Sequence, residues 1–288
     1  MSTIFATGLI GMTLGGQYAL LAMGFTLIFG IIGVMNFAHG AFFVLGGYVA
    51  FACVQFLQFP YPVAVIAAGV VTAALGYLYE RYVIERTIDD GLSTLMLTLG
   101  LAMVMITSIV VVFGVEAPRF EFPITDVLFY EGLFLPVANL ILVLCCGIII
   151  LGVYYLLYRT SFGRSLRAIS CDREIASTLG LRANLLFPLA FALATALAGV
   201  TGALVTPILA LHPHVGDHVL AMSFIVVILG GLGSLWGAVA AAFIVGLIEA
   251  YSSVYLGGTK GALALFVLVM IMLIVKPSGL FGREARGA

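Results

Sequence analysis

Two polar residues that could do chemistry, Asn36 and His39, lie in the apolar N-terminal part of this 288-residue chain. At a spacing of three they would share one face of a helix, where an imidazole and an amide can hydrogen-bond a polar substrate or pass a proton. Residues 1–79 contain no Asp, Glu, Lys or Arg, so they offer His39 no acidic partner for a proton relay. We therefore favour a structural role, in which the pair bonds backbone groups freed by a broken helix. Contact with substrate is the alternative.

The uncharged block indicates the class of the protein. As a helix it would extend about 120 Å, several times the roughly 30 Å hydrocarbon core of a bilayer. The whole chain is 63% hydrophobic and 9% charged, whereas an ordinary soluble domain has roughly 25% charged residues. We predict an all-α polytopic membrane protein in which residues 1–288 form a single transmembrane domain.

Apolar segments separated by Pro, Gly and charged residues predict about eight spans, within a range of roughly seven to nine. The predicted spans are 5–32, 36–57, 62–80, 92–113, 134–157, 185–208, 219–250 and 259–275. Because cytoplasmic loops carry the excess of Lys and Arg, the Arg-rich loop 158–184 is predicted to be cytoplasmic and the acidic loop 114–133 external. The C-terminal residues Lys276, Arg283 and Arg286 are placed inside by the same rule.

Counting crossings from the cytoplasmic loop leaves the basic C-terminus on the wrong side if segment 219–250 crosses once. Glycines interrupt this segment, and a re-entrant element or a tight double crossing would restore the topology. The first half contains a similar glycine-interrupted segment. Non-helical backbone in a membrane lines a cavity or is buried in protein, whereas glycine also serves close helix packing, and both interpretations stay open. The translocation-path candidates are Asn36, His39, Gly40, Gly230, Gly231, Gly233, Ser234 and Glu249.

Other polar residues give weaker signals. Glu249 falls near the end of its predicted span, where the interface would hydrate it. Segment 212–218 contains three histidines and an aspartate, but their spacing matches no metal signature, so we expect a solvated loop and no metal. No G-x-x-x-x-G-K-[ST] sequence occurs, and we expect this chain to bind no nucleotide through a P-loop.

The cytoplasmic loop 158–184 contains a pattern typical of a short charged helix that ends at Gly180. It is either a solvated loop or a helix able to dock on a partner. Glu174, Ala176 and Gly180 form E-x-A-x-x-x-G, which resembles the coupling-loop pattern of ABC importer permeases and favours docking. The candidate coupling residues are Gly163, Arg164, Arg167, Ala168, Asp172, Glu174, Ala176 and Gly180.

Over nearly its whole length the chain resembles branched-chain amino acid ABC transporter permeases of the Liv H type. The most distinctive block comprises Y-A-L-L-A-M-G-F-T-L-I-F-G at 18–30, N-F-A-H-G at 36–40 and L-G-G-Y at 45–48. Further matches are Glu85-Arg86, L-T-L-G at 97–100, Ala198-Gly199 with Gly202, and L-G-G-L-G-S at 229–234 with Gly237-Ala238 and Gly246.

The resemblance implies a complex in the inner membrane of a bacterial or archaeal cell. Its partners would be a paralogous second permease, two cytoplasmic ATPase subunits and an extracytoplasmic substrate-binding protein that largely sets specificity. ATP would be used by the partner ATPases, with no cofactor bound by this chain, and residues 159–182 would transmit their cycle. No nucleic-acid partner is expected.

Leu, Ile and Val are the substrates that the resemblance implies, and urea or short amides are the alternative because related permeases share the same blocks. A second class of function is a gradient-driven secondary carrier or channel that acts without partners. The shortage of acidic pairs within the predicted spans and the docking-type loop disfavour this class. An intramembrane enzyme has the least support, because no catalytic arrangement is recognisable.

Overall fold

The computed structural model describes residues 2–88, 90–130, 133–276 and 278–281. Within them the chain forms eleven α-helices: α1 (Ser2–Ile32), α2 (His39–Gln55), α3 (Tyr61–Tyr82), α4 (Gly91–Phe113), α5 (Val137–Arg159), α6 (Ser161–Cys171), α7 (Arg173–Thr178), α8 (Ala183–Leu209), α9 (Val215–Gly230), α10 (Leu235–Leu256) and α11 (Gly258–Val275). A 3-10 turn, Ile84–Arg86, follows α3, and β1 (Val127–Tyr130) pairs antiparallel with β2 (Leu133–Pro136).

Seven of these helices are long and apolar enough to cross a membrane, namely α1, α3, α4, α5, α8, α10 and α11, while α2 and α9 are shorter apolar helices. The architecture confirms an all-α polytopic membrane protein.

The predicted span 219–250 is two helices in the structure, α9 and α10, separated by residues 231–234. The break therefore lies where the glycines indicated. Leu280 N donates to Leu229 O at 2.7 Å and Phe281 N donates to Gly230 O at 3.2 Å, so the residues after α11 cap the last carbonyls of α9. The break and the segment after α11 consequently lie on the same side of the membrane. The count of crossings requires this arrangement if the C-terminus is to be cytoplasmic.

The region before α5 differs from the prediction. Residues 134–136, assigned to the start of a span, belong to the second strand of a hairpin in which Leu128 faces Leu135, and α5 begins only at Val137. Pro136 explains the difference, because a proline keeps the preceding residue out of the helical region. Glu131 of the acidic loop and the basic residues Arg283 and Arg286 lie outside the described residues.

Contacts divide the chain into two compact units, each built from separate stretches of sequence. Unit 1 contains residues 1–26, 122–149 and 221–288, and unit 2 contains residues 27–121 and 150–220. Helices α1, α5 and α9 each pass from one unit into the other.

The core of unit 2 is built from small residues on α2, α3 and α8. The buried face of α3 recurs every fourth residue, at Ala64, Ala68, Thr72, Gly76 and Glu80. A Cβ atom on Gly76 would overlap the side chain of Thr195, and one on Gly46 of α2 would overlap the backbone of Gly199 of α8. Small residues let these backbones approach closely, which is how helices in lipid gain packing energy.

Threonines at these contacts satisfy their hydroxyl groups within their own helix. The hydroxyls donate to the carbonyl four residues earlier: Thr72 to Ala68 at 2.8 Å, Thr195 to Phe191 at 3.0 Å and Thr206 to Gly202 at 2.8 Å. The packed faces therefore carry polar side chains without leaving these hydroxyls unsatisfied.

Unit 1 uses the same principle where α1 meets α10. A Cβ atom on Gly11 would lie 2.9 Å from the Leu247 Cα atom, and one on Gly15 would lie 2.9 Å from the Phe243 Cα atom. Tyr251 donates from its hydroxyl to the carbonyl of Ile4 at 3.0 Å, near the start of α1. The part of α1 from Ile4 to Gly15 is thus held along α10.

Replacing Gly46 with alanine should destabilise the protein, because the three atoms nearest to the added methyl group are Gly199 backbone atoms, so α2 must separate from α8. Overpacking of this kind costs about 1–3 kcal/mol. The measurement is the thermal unfolding midpoint of the purified protein in detergent. Gly100→Ala is the matched control, since a Cβ atom there meets nothing within 4 Å. Equal midpoints for the two variants would contradict the packing account.

Candidate functional site

The connection between α1 and α2, residues 33–38, and the first residue of α2 provide two of the translocation-path candidates. Gly33 turns the chain with φ +79°. Asn36 lies in this non-helical link, and His39 is the first residue of α2. Asn36 and His39 therefore do not share a helical face, and that expectation was wrong, because α2 begins three residues later than the predicted span.

Asn36 organises the turn into α2. Its side-chain Oδ1 accepts from Ala38 N at 3.0 Å, and its carbonyl accepts from His39 N at 3.3 Å. Phe37 N donates to the Thr98 hydroxyl of α4 at 3.3 Å. Side chains thus replace part of the backbone bonding that the broken helix loses.

Both candidates are nearly inaccessible, with Asn36 and His39 each 1% exposed. The Asn36 Nδ2 atom is buried and has no hydrogen-bond partner among the described residues. Its amide therefore supports the turn through the oxygen and leaves a buried donor on the nitrogen.

Gly40 contacts the start of α9. A Cβ atom on Gly40 would lie 2.6 Å from the Gly216 carbonyl oxygen, and a Cβ atom on Gly216 would overlap Gly40 in turn. The first turns of α2 and α9 are consequently packed backbone to backbone, and the role of Gly40 in the structure is this close approach.

The four candidates between α9 and α10 have separate structural roles. Gly230 packs against the Gly237 backbone, with 2.5 Å from an added Cβ to Gly237 O. Gly231 and Gly233 have φ of +97° and +83°, which favours glycine, and the Ser234 hydroxyl caps α10 by accepting from Gly237 N at 3.1 Å. Close packing and turn formation thus account for this glycine run, and its contact with substrate stays a prediction.

Glu249 lies inside its helix. Because the break separates α9 from α10, the residue is seven positions before the end of α10 at Leu256, so the prediction that it lies near a span end was wrong. The Tyr18 hydroxyl of α1 donates to Glu249 Oε2 at 2.8 Å. Tyr18 is 1% exposed, so this hydrogen bond joins two polar side chains inside unit 1.

The coupling loop is two helices, α6 and α7, each with an oxygen cap at its start. The Thr160 hydroxyl accepts from Gly163 N at 3.2 Å, and Asp172 Oδ1 accepts from Ile175 N at 2.9 Å. The segment after α7 turns at Gly180 with φ +86°. The prediction of a short charged helix ended by this glycine is confirmed for α7.

One face of α6 and α7 is anchored to other helices of unit 2, the unit to which both belong. Ala176 and Ile169 are buried in a cluster with Ala183 and Phe187 of α8, and Ile31 and Ile32 at the end of α1 pack against it. On α6, Gly163 packs tightly on the Leu157 backbone. Arg167 donates to the Leu157 carbonyl and lies over the Tyr158 ring at 4.9 Å.

The other face of the coupling helices is open. Arg164, Ala168, Asp172, Glu174 and Gly180 are exposed. Ile175 and Leu179 are also exposed, at 60% and 78%, although they are large and apolar. Anchored and exposed residues thus alternate along the predicted coupling segment.

The start of α4, in the neighbouring connection, is capped by Asp90. Its Oδ2 accepts from the Ser93 hydroxyl at 2.5 Å, and its Oδ1 accepts from Leu92 N at 3.1 Å. These hydrogen bonds, that of the Ser93 side chain above all, hold the pKa of Asp90 below its usual value.

Glu80 is a buried acid that the sequence patterns did not single out. This residue is 0% exposed at the end of α3, and neither carboxylate oxygen has a hydrogen-bond partner among the described residues. The signal was its register: Glu80 continues the four-residue repeat of the buried small-residue face of α3.

Comparison with known proteins gives a consistent result. The model of the family described as "Branched-chain amino acid transport system / permease component" matches residues 8–276. The chain is 28% identical to the high-affinity branched-chain amino acid transport system permease protein BraD of Pseudomonas aeruginosa, over 95% of this chain and 94% of that protein. It is 29% identical to LivH of Escherichia coli K12, with the same coverage. It is 28% identical to the probable LivH of Methanocaldococcus jannaschii, over 91% of this chain and 88% of that protein.

We expect His39 to support the broken helix and not to carry a proton, since residues 1–79 contain no acid and its side chain is buried. His39→Gln retains a hydrogen-bonding group, so uptake by the reconstituted complex should largely survive, whereas His39→Leu should impair assembly or uptake. Uptake is measured against pH. Loss of transport in His39→Gln despite normal assembly, or loss of a wild-type titration near about pH 6.5, would assign His39 to the pathway chemistry.

Proposed function

The chain belongs to the family of branched-chain amino acid transport system permease components, and we propose that ATP hydrolysed by partner subunits drives its transport cycle through helices α6 and α7. As a multi-pass protein of the inner membrane it provides the transmembrane part of an importer for branched-chain amino acids. Permeases of this kind function with ATPase and substrate-binding protein components.

The observation that supports this proposal most directly is that the coupling helices have one buried face and one exposed face. Ala176 and Ile169 fix the segment to the transmembrane helices. Ile175 of α7 and Leu179, which directly follows α7, are one helical turn apart and exposed, and the same loop also carries exposed arginines. Exposed apolar side chains of this size, rimmed by polar residues, are typical of a protein contact. A short helix that offers such a pair suits a groove in a partner subunit.

The proposal includes the subunits of the complex and its substrate. We propose two ATPase subunits, a paralogous second permease and an extracytoplasmic binding protein that selects Leu, Ile or Val, with no ATPase site in this chain. Its membership in the permease family and the names of its relatives support this assignment. Urea or a short amide is the alternative cargo, and competition against labelled leucine uptake by the reconstituted complex distinguishes them.

Replacing Gly180 with tryptophan should reduce uptake and transport-linked ATP hydrolysis together by about tenfold or more, while the amount in the membrane persists. Positive φ at this position resists a side chain, at a cost of roughly 1–3 kcal/mol, and the bulk would obstruct docking. Gly114→Trp is the matched control, since Gly114 has φ +85° and, like Gly180, nothing within 4 Å of an added Cβ. Unchanged ATP-driven uptake in Gly180→Trp, or equal losses in both variants, would contradict the coupling role.

The N-terminus should lie outside the cell. Ile31 and Ile32, at the end of α1, pack on the cluster that anchors the cytoplasmic coupling helices. Helix α1 has 31 residues, so it is about 46 Å long and carries its other end across the bilayer. A cysteine on a short extension before Met1 should react with an impermeant maleimide in intact cells, whereas the exposed Cys171 of the coupling loop should react only after lysis. If the added cysteine, like Cys171, reacts only after lysis, the predicted orientation of α1 is wrong.

A further inference from the structure

Glu80 is a buried acid for which the described residues provide no hydrogen bond. Its residue exposure is 0%, and both carboxylate oxygens are inaccessible and unpartnered. A buried carboxylate in this position is strongly unfavourable unless a cation or a proton compensates it. In each state of the protein the Glu80 carboxyl is therefore either protonated or paired with a cation.

Glu80 lies between the transmembrane core and the base of the coupling helices. It ends the buried face of α3, one turn after Gly76, which packs on Thr195 of α8. The ring of the adjacent Tyr79 lies 6.4 Å from that of Phe191, also on α8. Helix α8 begins at the cluster that anchors α7, so Glu80 lies close to the base of the coupling segment.

Two arginines lie on the segments around Glu80: Arg81 follows it in α3, and Arg173 lies over the ring of Phe187, one turn before Phe191 on α8. Arg81 already binds the Glu85 carboxylate at 2.9 Å and the Asn184 carbonyl at 3.0 Å. Arg173, the first residue of α7, lies over the Phe187 ring at 5.3 Å and has no ion pair within the described part of the chain. Arg173 is thus the cation available to Glu80.

We propose that Glu80 is a positioning residue for the coupling helix: as α7 moves against α3 in the transport cycle, Arg173 leaves the Phe187 ring and pairs with the Glu80 carboxylate. The pair compensates the buried charge and holds α7 to the transmembrane core, so the displacement of α7 is transmitted to α3 and α8. Helix α7 has only six residues, between the Asp172 cap and the Gly180 turn, so a small tilt about the buried Ala176 moves Arg173 at its first position. This inference rests on the proposed function.

The test uses the whole complex, with both ATPase subunits and the binding protein, in proteoliposomes. The measured quantity is ATP hydrolysed per molecule of leucine transported, a ratio that reduced expression or assembly does not change. We expect Glu80→Gln and Arg173→Gln each to raise the ratio by about tenfold, and the double variant to raise it no further, because both singles remove the same pair. The exchanged pair, Glu80→Arg with Arg173→Glu, should recover most of the coupling.

Glu116→Gln is the control, since it neutralises an exposed carboxylate in the segment between α4 and β1 and leaves Arg81 bound to Glu85. It should keep the wild-type ratio. If Glu80→Gln fails to assemble, the ratio measured for Arg173→Gln alone tests the inference, because Arg173 is exposed.

An unchanged ratio in Arg173→Gln, or losses that add in the double variant, would overturn the inference. These outcomes are distinct from a failure of the proposed function. Leucine uptake by the wild-type complex that requires neither ATP nor the ATPase subunits would contradict the importer itself. Normal ATP-driven uptake with unaffected variants would contradict only the role of Glu80.

Discussion

The absence of water inside a bilayer requires that the backbone satisfy its own hydrogen bonds, and the rest of this structure depends on that requirement. Helices meet it along their length, so association between them relies on close contact of small residues. In unit 2, α2, α3 and α8 meet through Gly46, Gly76 and Gly199, and in unit 1, α1 meets α10 through Gly11 and Gly15. Polar groups at these faces are mainly threonine hydroxyls that bond within their own helix.

The two interruptions of helix are permitted because other groups take over the missing bonds. The Asn36 side chain and the Thr98 hydroxyl bond the link between α1 and α2. Ser234 and the backbone of Leu280 and Phe281 bond the link between α9 and α10. Each break thus has a structural explanation, and a contact of either break with the transport pathway stays a prediction.

A dry interior also makes charged groups costly, so ionisable residues within the spans are few. Glu249 meets this cost partly through the Tyr18 hydroxyl. Glu80 meets it through no hydrogen bond within the described residues, and it lies near the end of α3, where Arg81 donates to the Asn184 carbonyl at the start of α8. A permease needs flexible communication between its cytoplasmic and transmembrane parts, and an incompletely compensated charge at their junction suits that task.

The sequence by itself determined the features that follow from composition along one segment: an all-α membrane protein, most span positions to within a few residues, the break inside 219–250 and the short helix ended by Gly180. These depend on hydrophobicity, charge and glycine, which act locally. Tertiary structure alone decided the features that depend on partners distant in the chain. The close packing at Gly76 depends on Thr195 of α8, the Glu249 hydrogen bond on Tyr18, and the turn at Asn36 on the contact between Phe37 and Thr98. Residue patterns specify which face of a helix seeks contact, but the residue that meets that face is selected only when the helices pack.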